Sequence, residues 1–298
     1  MTGAIIGDII GSRFEYHNIH TNKFLLFAPG CHITDDSILT MAVAKALVTS
    51  KEDFSDLSAK TVQALREFGR KRFAAYGKMF SEWLHSENPA PYNSFGNGAG
   101  MRVSPVGFLA KDLEECKRLS RIVTEVTHNH PEGLKGAEAI AVCVFLARIG
   151  KTKEEIRSYV NDNYYALNFT LEDLRRNYKW SSTCQESVPQ AIVCFLESES
   201  FTDAIRNAIS IGGDSDTIAA MTGAIAEAFY GIPQYLRWIA KWFCPRKMYR
   251  YVTMLEQKIP YKEISTNINY SDDRKMITSA RDFMNAMETM RNNNNITR

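Results

Sequence analysis

The chain has 298 residues, 45% of them apolar and 23% charged, with 36 basic side chains against 34 acidic ones. Such a balance excludes a protein organised around a broad electropositive nucleic-acid surface. No apolar run approaches the roughly eighteen residues of a membrane-spanning helix, and no leader pattern opens the sequence, so a cytoplasmic protein without a membrane partner is expected. The six cysteines form no C-x-x-C pair, and the six histidines have no matching spacing. Neither a disulfide framework nor a zinc site is expected, and most cysteines read as small core residues.

Taken in chain order, the periodicity is helical almost throughout. Gly3, Gly7 and Gly11 share one helical face and allow another helix to come close. Asp8 interrupts that apolar helix; a buried carboxylate needs a partner, and bracing a neighbouring loop is the favoured role. Glu15 stands just past the helix, within reach of a site. Thr34-Asp35-Asp36-Ser37 precedes a buried helix over Ile38–Val48. One N-cap accounts for one of those four oxygen-bearing side chains. The run from Asn93 to Arg102 contains Gly96, Asn97, Gly98, Ala99, Gly100, Met101 and Arg102. Ser104 and Pro105 then read as N-cap and first helical position. The run lacks the Gly-Lys-Ser/Thr of a phosphate-binding loop and the strand of a dinucleotide fingerprint. A plain loop is the favoured reading, and a loop whose N–H groups face a phosphate is the alternative.

Thr127-His128-Asn129-His130-Pro131 places two histidines at i and i+2, which do not share a helical face. They read as surface residues at a helix start, or as one imidazole set against a nucleotide. Buried helices follow over Gly133–Leu146, Val188–Leu196 and Ile218–Tyr230, the last stopped by Gly231 and Pro233. Thr152 with Glu155 is a capping box, and Thr170 with Asp173 a similar start. The basic and aromatic run from Trp238 to Tyr251 reads as a helix with buried rings and a solvated basic face. Ser279–Met290 is a short amphipathic helix, and 291–298 an Asn-rich, disordered tail. Strand patterns and hairpin turns are scarce. The expected fold is all-α: a single-domain many-helix bundle over 1–290.

Gly212-Gly213-Asp214-Ser215-Asp216-Thr217 repeats the pattern of oxygen-bearing residues just before an apolar helix. Each cluster alone reads as a cap. Together they offer Asp35, Asp36, Asp214 and Asp216 with the hydroxyls of Thr34 and Thr217. Packed side by side, such anions repel unless cations sit between them. Oxygen-only donors suit Mg²⁺, Mn²⁺ or Ca²⁺, and two bridged ions would satisfy them. The clusters lie 178 residues apart (214 minus 36). If they meet, the chain is one domain.

The order of these motifs resembles the ADP-ribosylglycohydrolase family, which includes the dinitrogenase-reductase-activating glycohydrolase. It runs Gly-Asp-x-x-Gly, Thr-Asp-Asp-Ser, Gly-Asn-Gly-Ala-Gly-Met-Arg, Thr-His-x-His-Pro and Gly-Gly-Asp-Ser-Asp-Thr, from Gly3 to about Pro233. The resemblance implies an all-α fold with a central cleft holding two Mg²⁺ or Mn²⁺ ions, and hydrolytic release of ADP-ribose from a modified protein or another conjugate. Nucleic acid would be a partner only as the modified target. It further implies that Thr34, Asp35, Asp36, Asp214, Asp216 and Thr217 ligate the metals, and that Glu15 gates or contacts them. Gly96 to Arg102 would hold the diphosphate, and His128 would line the cleft. Asp35 or Asp36 would assist proton transfer. Ser37 and Ile33 depart from the residues common at their positions, which bears on substrate preference rather than on metal binding. A non-catalytic nucleotide-binding regulator, a dimetal phosphoesterase and a crystallin-like structural protein are the alternatives.

Overall fold

The computed structural model describes residues 1–71 and 76–259, together with two isolated positions, 282 and 285. Apart from those two positions, the amphipathic helix expected over 279–290 lies outside the described residues, as does the tail over 291–298. No strand forms among the described residues; one isolated bridge joins Gly96 to Thr183. No helix among them is long and apolar enough to cross a membrane.

Helix α1 (Thr2–Gly11) is apolar on every side apart from Thr2 and Asp8, and all ten of its residues are buried. A helix of that kind belongs in a core. The first half of the chain continues with α2 (Asp35–Thr49), α3 (Leu57–Lys71), α4 (Lys78–His85), α5 (Gly98–Met101), α6 (Ser104–Leu109) and α7 (Leu113–Glu125). The second half contains α8 (Pro131–Arg148), α9 (Lys153–Asn163), α10 (Leu171–Asn177), α11 (Val188–Leu196), α12 (Phe201–Ser210), α13 (Ser215–Tyr230), α14 (Gln234–Phe243) and α15 (Arg246–Glu256). Helix α13 is the hub, touching α1, α8, α11 and α12 along its length and α2, α5 and α6 as well.

The closest of these contacts is with α1, and the glycine spacing is its cause. A Cβ on Gly7 would lie 2.0 Å from the Ala219 carbonyl oxygen, and one on Gly3 would lie 2.2 Å from that of Gly223. A Cβ on Gly11 would lie 2.5 Å from Asp216 Cα. The two helices therefore meet backbone to backbone, and the last contact sets the end of α1 beside the start of α13.

Several elements begin or end differently from their sequence patterns. Helices α2 and α13 start three residues before their apolar runs, so Asp35, Asp36 and Asp216 belong to first turns. Both capping boxes, at Thr152 and Thr170, are complete. The N-cap before Pro105 is Val103 rather than Ser104, whose buried hydroxyl has no partner. The basic aromatic run is two helices, because Pro245 ends α14 and opens α15. Trp238 stands exposed there, while Tyr249 and Tyr251 are buried. Gly231, with φ of 78°, terminates α13. All six cysteines are buried free thiols.

The α1–α13 contact is directly testable. Gly7→Val adds atoms against backbone, where no flexible side chain can yield, so a loss near the upper end of overpacking costs, about 3 kcal/mol, is expected. Urea denaturation measures it. A variant within about 0.5 kcal/mol of the parent would show that the helices can separate freely.

Candidate functional site

One buried carboxylate organises the start of α2. Asp8 accepts the Thr34 N–H at 3.0 Å, the Thr34 hydroxyl at 2.8 Å, the Ser37 N–H at 3.1 Å and the Ser37 hydroxyl. The bracing role read from the sequence is what the structure shows. Ser37 turns inward to this brace. Thr34 is the N-cap of α2 and accepts the Asp36 N–H at 3.3 Å.

The start of α13 is held by a different device. Gly212 and Gly213 have φ of 74° and 76°, a region costly for any residue with a Cβ. The Asn18 amide clamps this turn, accepting the Gly213 N–H at 2.8 Å and donating to its carbonyl at 2.9 Å. Asp214 and Asp216 follow immediately.

The two acidic clusters meet. The Thr217 hydroxyl donates to Asp36 Oδ2 at 3.2 Å. Carboxylate oxygens of Asp8, Asp36 and Asp216 lie within 4.8 Å of one another, as do those of Glu15, Asp214 and Asp216. Asp216 is common to both groups. These carboxylates form no ion pair among the described residues, and their protonation reflects that. Burial, followed by the charges of Asp8 and Asp214, pushes Asp35 up to about 7. Burial and neighbouring carboxylates raise Asp36 and Asp216 well above the ordinary range. Asp214 is raised by burial against the opposing hydrogen bond from Asn97, and Glu15 is raised by burial. Asp36 Oδ1 is buried without any partner. Converging hard oxygens, mutual repulsion and an orphaned acceptor fit divalent cations of the Mg²⁺ or Mn²⁺ type.

A cavity of about 430 Å³ opens over this floor, lined by the acidic residues of both clusters, part of the glycine-rich run and His128. The run divides in two. Gly96, Asn97, Gly98, Met101 and Arg102 line the cavity. Ala99 and Gly100 do not; a Cβ on Gly100 would lie 2.8 Å from Met221 Sδ of α13, so these two residues pack inward. The amides of this run are also mostly committed. Gly96 N–H donates to Ser94 Oγ and Asn97 N–H to Ser182 O, while those of Ala99, Gly100 and Met101 close bonds within the run. Few of these N–H groups are left to face a ligand; that of Gly98 has no protein acceptor among the described residues.

Asn97 carries a function that sequence alone did not separate from substrate binding. Its side-chain amide donates to Asp214 Oδ2 at 2.7 Å and to Ser187 Oγ at 3.3 Å, and so orients a carboxylate of the floor. Arg102 is 1% exposed and donates to Thr127 Oγ1 and, at 3.4 Å, to His128 Nδ1. His128 is 4% exposed, not a surface residue, and burial pushes its imidazole well below the usual range with the help of the Arg102 charge. His130 is the N-cap of α8. Thr34 does not line the cavity; its hydroxyl serves Asp8 and the cap. Four aromatic residues of the cleft, Tyr16, Phe80, Tyr92 and Trp180, carry no pattern in the sequence that marks them.

An all-helical hub gathers carboxylates from two distant helix starts under one cavity, a cleft suited to divalent cations. A family model described as ADP-ribosylglycohydrolase matches residues 1–257, and the chain belongs to that family and is a glycohydrolase. ADP-ribosylhydrolase ARH3 of Homo sapiens is 26% identical over 310 residues, covering 78% of this chain and 85% of that protein. ADP-ribosylarginine hydrolase Tri1 of Serratia proteamaculans is 24% identical over 266 residues, covering 78% of this chain and 70% of that one. A solved structure of an ADP-ribosylglycohydrolase-related protein complex shares the fold with a TM-score of 0.59 at 20% identity, over 86% of this chain and 96% of that one.

The raised carboxyls set the sign of a pH effect. With no cation bound, the folded chain holds more protons than the unfolded chain between the ordinary aspartate value near 4 and about 7, where Asp35 ionises. Stability from this source is full below that window and is lost as pH rises through it. Calorimetry in EDTA is expected to show the melting temperature falling from pH 5 to pH 8, with a shallower fall in Asp35→Asn. A steeper fall in the variant would contradict the assignment.

Proposed function

We propose that this chain hydrolyses the glycosidic bond joining ADP-ribose to a modified target and releases intact ADP-ribose. The observation that carries this reading is the meeting of the Thr34–Ser37 and Asp214–Thr217 clusters beneath a cavity bordered by the Gly96–Arg102 run. Asp35, Asp36, Asp214 and Asp216, with the Thr217 hydroxyl, form the oxygen set for two Mg²⁺ or Mn²⁺ ions; the Thr34 hydroxyl would join them only by releasing its bond to Asp8, and Glu15 adds a carboxylate beside Asp214 and Asp216. Bound ions supply Lewis-acid polarisation and orientation of the ribose hydroxyls and the attacking water.

The protein's own groups do the rest. Asp35 is the aspartate of its pair that remains partly open to the cleft, whereas Asp36 is buried and takes the Thr217 hydroxyl, so Asp35 is the group placed to move a proton to or from the reacting water. Asn97 keeps the Asp214 carboxylate aimed into the cleft. Gly98 N–H and His128 face the position of the diphosphate, and holding it there positions the anomeric carbon. The transition state has oxocarbenium character, as in other glycoside cleavage. The name of the Serratia proteamaculans relative, an ADP-ribosylarginine hydrolase, supports an arginine conjugate among the targets. The six buried thiols agree with a cytoplasmic setting.

The test incubates the full chain with arginine-ADP-ribosylated protein, in parallel with serine-linked and nucleic-acid conjugates, in Mg²⁺, Mn²⁺ or EDTA. Products are identified by mass. Intact ADP-ribose, lost in EDTA, is expected from at least one conjugate. A nucleoside monophosphate instead would make the chain a phosphoesterase, and no turnover on any conjugate would leave a binding protein. Asp35→Asn and Asp214→Asn are each expected to lower activity by more than about 100-fold, judged against the usual range for residues that act through ligands.

Asn97→Ala gives a separate prediction. It leaves every proposed ligand in place but removes the donor that orients Asp214. Divalent-ion affinity by calorimetric titration is expected to fall by about 10–100-fold. An unchanged affinity would return Asn97 to a purely structural role.

A further inference from the structure

His128 sits at one corner of the cleft with its two ring nitrogens in different surroundings. Nδ1 is 2.8 Å from the Thr127 hydroxyl and 3.4 Å from an Arg102 Nη2. Nε2 faces the glycine-rich run: a Cβ on Gly98 would lie 3.5 Å from it, and one on Gly96 3.7 Å. Among the described residues Nε2 has no protein partner.

We propose that Arg102 and Thr127 are positioning residues that hold His128 as the neutral Nε2–H tautomer, so that the ring presents a fixed hydrogen-bond donor over Gly96 and Gly98. A guanidinium only donates. Its Nη2 also donates to Thr127 Oγ1, which leaves that hydroxyl one proton to give. Of the acceptors around it, His128 Nδ1 at 2.8 Å is nearer than Thr124 O at 3.3 Å, and the Tyr92 hydroxyl also interacts with Thr127. Both neighbours of Nδ1 therefore direct protons at it. The opposite tautomer would aim an N–H at the N–H groups of Arg102, and an imidazolium would place a second buried cation beside the first. The protonation left to the ring is on Nε2, at the edge that the glycines keep clear.

The consequence is chemical selectivity for an acceptor at that corner. In the glycohydrolase reading, on which only this clause rests, the acceptor is a phosphate oxygen of the diphosphate. The donor would then be unaffected by pH across the neutral range, unlike an imidazole with the ordinary value near 6.5.

The ring state can be read in the full chain without substrate. Long-range ¹H–¹⁵N spectra of protein labelled with ¹⁵N-histidine, from pH 5 to pH 8, report which nitrogen carries the proton. His128→Gln identifies the His128 signals by their loss. The expected result is a protonated Nε2 and an unprotonated Nδ1 at every pH. In Thr127→Val the Nδ1 signal is expected to move toward its protonated position, and Thr127→Ser is expected to restore it. A protonated Nδ1 in the parent chain, or titration with an ordinary imidazole midpoint, would overturn the proposal. So would spectra of Thr127→Val identical to those of the parent. Because no conjugate is used, a failure here leaves the hydrolysis assay standing, and a failure of that assay leaves this result standing.

Discussion

The contact between α1 and α13 fixes where everything else can sit. With glycine at 3, 7 and 11, the two helix backbones touch, and the end of α1 lies against Asp216. Asp8 points from that close-packed helix to the start of α2 and takes four hydrogen bonds from Thr34 and Ser37. A single buried side chain thus registers α2 against the α1–α13 pair. The acidic residues of α2 and α13 then face each other because their helices have no freedom to turn away. An added methyl group between the helices would move the floor of the cleft, although no glycine of α1 lines it.

That floor is held together against its own electrostatics. Burial raises Asp35, Asp36, Asp214 and Asp216, neighbouring carboxylate charges add to it at Asp35, Asp36 and Asp216, and the described residues form no ion pair with them. Arg102 is buried nearby, but its hydrogen bonds go to Thr127 and His128 rather than to a carboxylate. Carboxylates arranged in this way destabilise the ionised, cation-free chain and become compatible with neutral pH when divalent ions offset the charge. Hydrogen-bond donors that could have quenched the cluster are instead spent on orientation. Thr217 aims at Asp36, and Asn97 at Asp214. The arrangement gives up stability at the floor of the cleft and leaves Asp36 Oδ1 without a partner.

Much of this was legible in the sequence where the physics is local. Glycines at a spacing of four, capping residues ahead of apolar runs and the stop at Gly231 depend on residues a few positions away. The two Asp-rich clusters were legible as a pair because repeated oxygen-rich starts exceed what capping requires. What the sequence could not show depends on partners far along the chain. Asn97 reads as one more loop residue until Asp214, 117 residues later, is beside it. His128 reads as a surface residue or as a ligand-facing imidazole, and only the fold, which buries it beside Arg102, separates the two. Tyr16 and Trp180 stand at the mouth by virtue of tertiary placement alone, with no periodicity to mark them.

The glycine-rich run shows why such motifs resist reading by composition. Its glycines look equivalent, and a phosphate cradle would use them equivalently. In the fold they serve opposite sides of one short helix. Gly100 lets α5 approach Met221 of α13, so the position of α5 is inherited from the same hub that carries Asp216. Gly98, two residues earlier, keeps the Nε2 edge of His128 clear and leaves its own N–H without a protein acceptor. Between them Ala99 is buried, and just before them Asn97 reaches Asp214. Four consecutive residues therefore couple the core, the acidic floor and the ligand wall. A side chain added at 100 would be felt through packing, and one added at 98 through the ring beside it. The same substitution at two neighbouring glycines should then fail for different reasons, one in stability and the other in the hydrogen bond offered to the ligand.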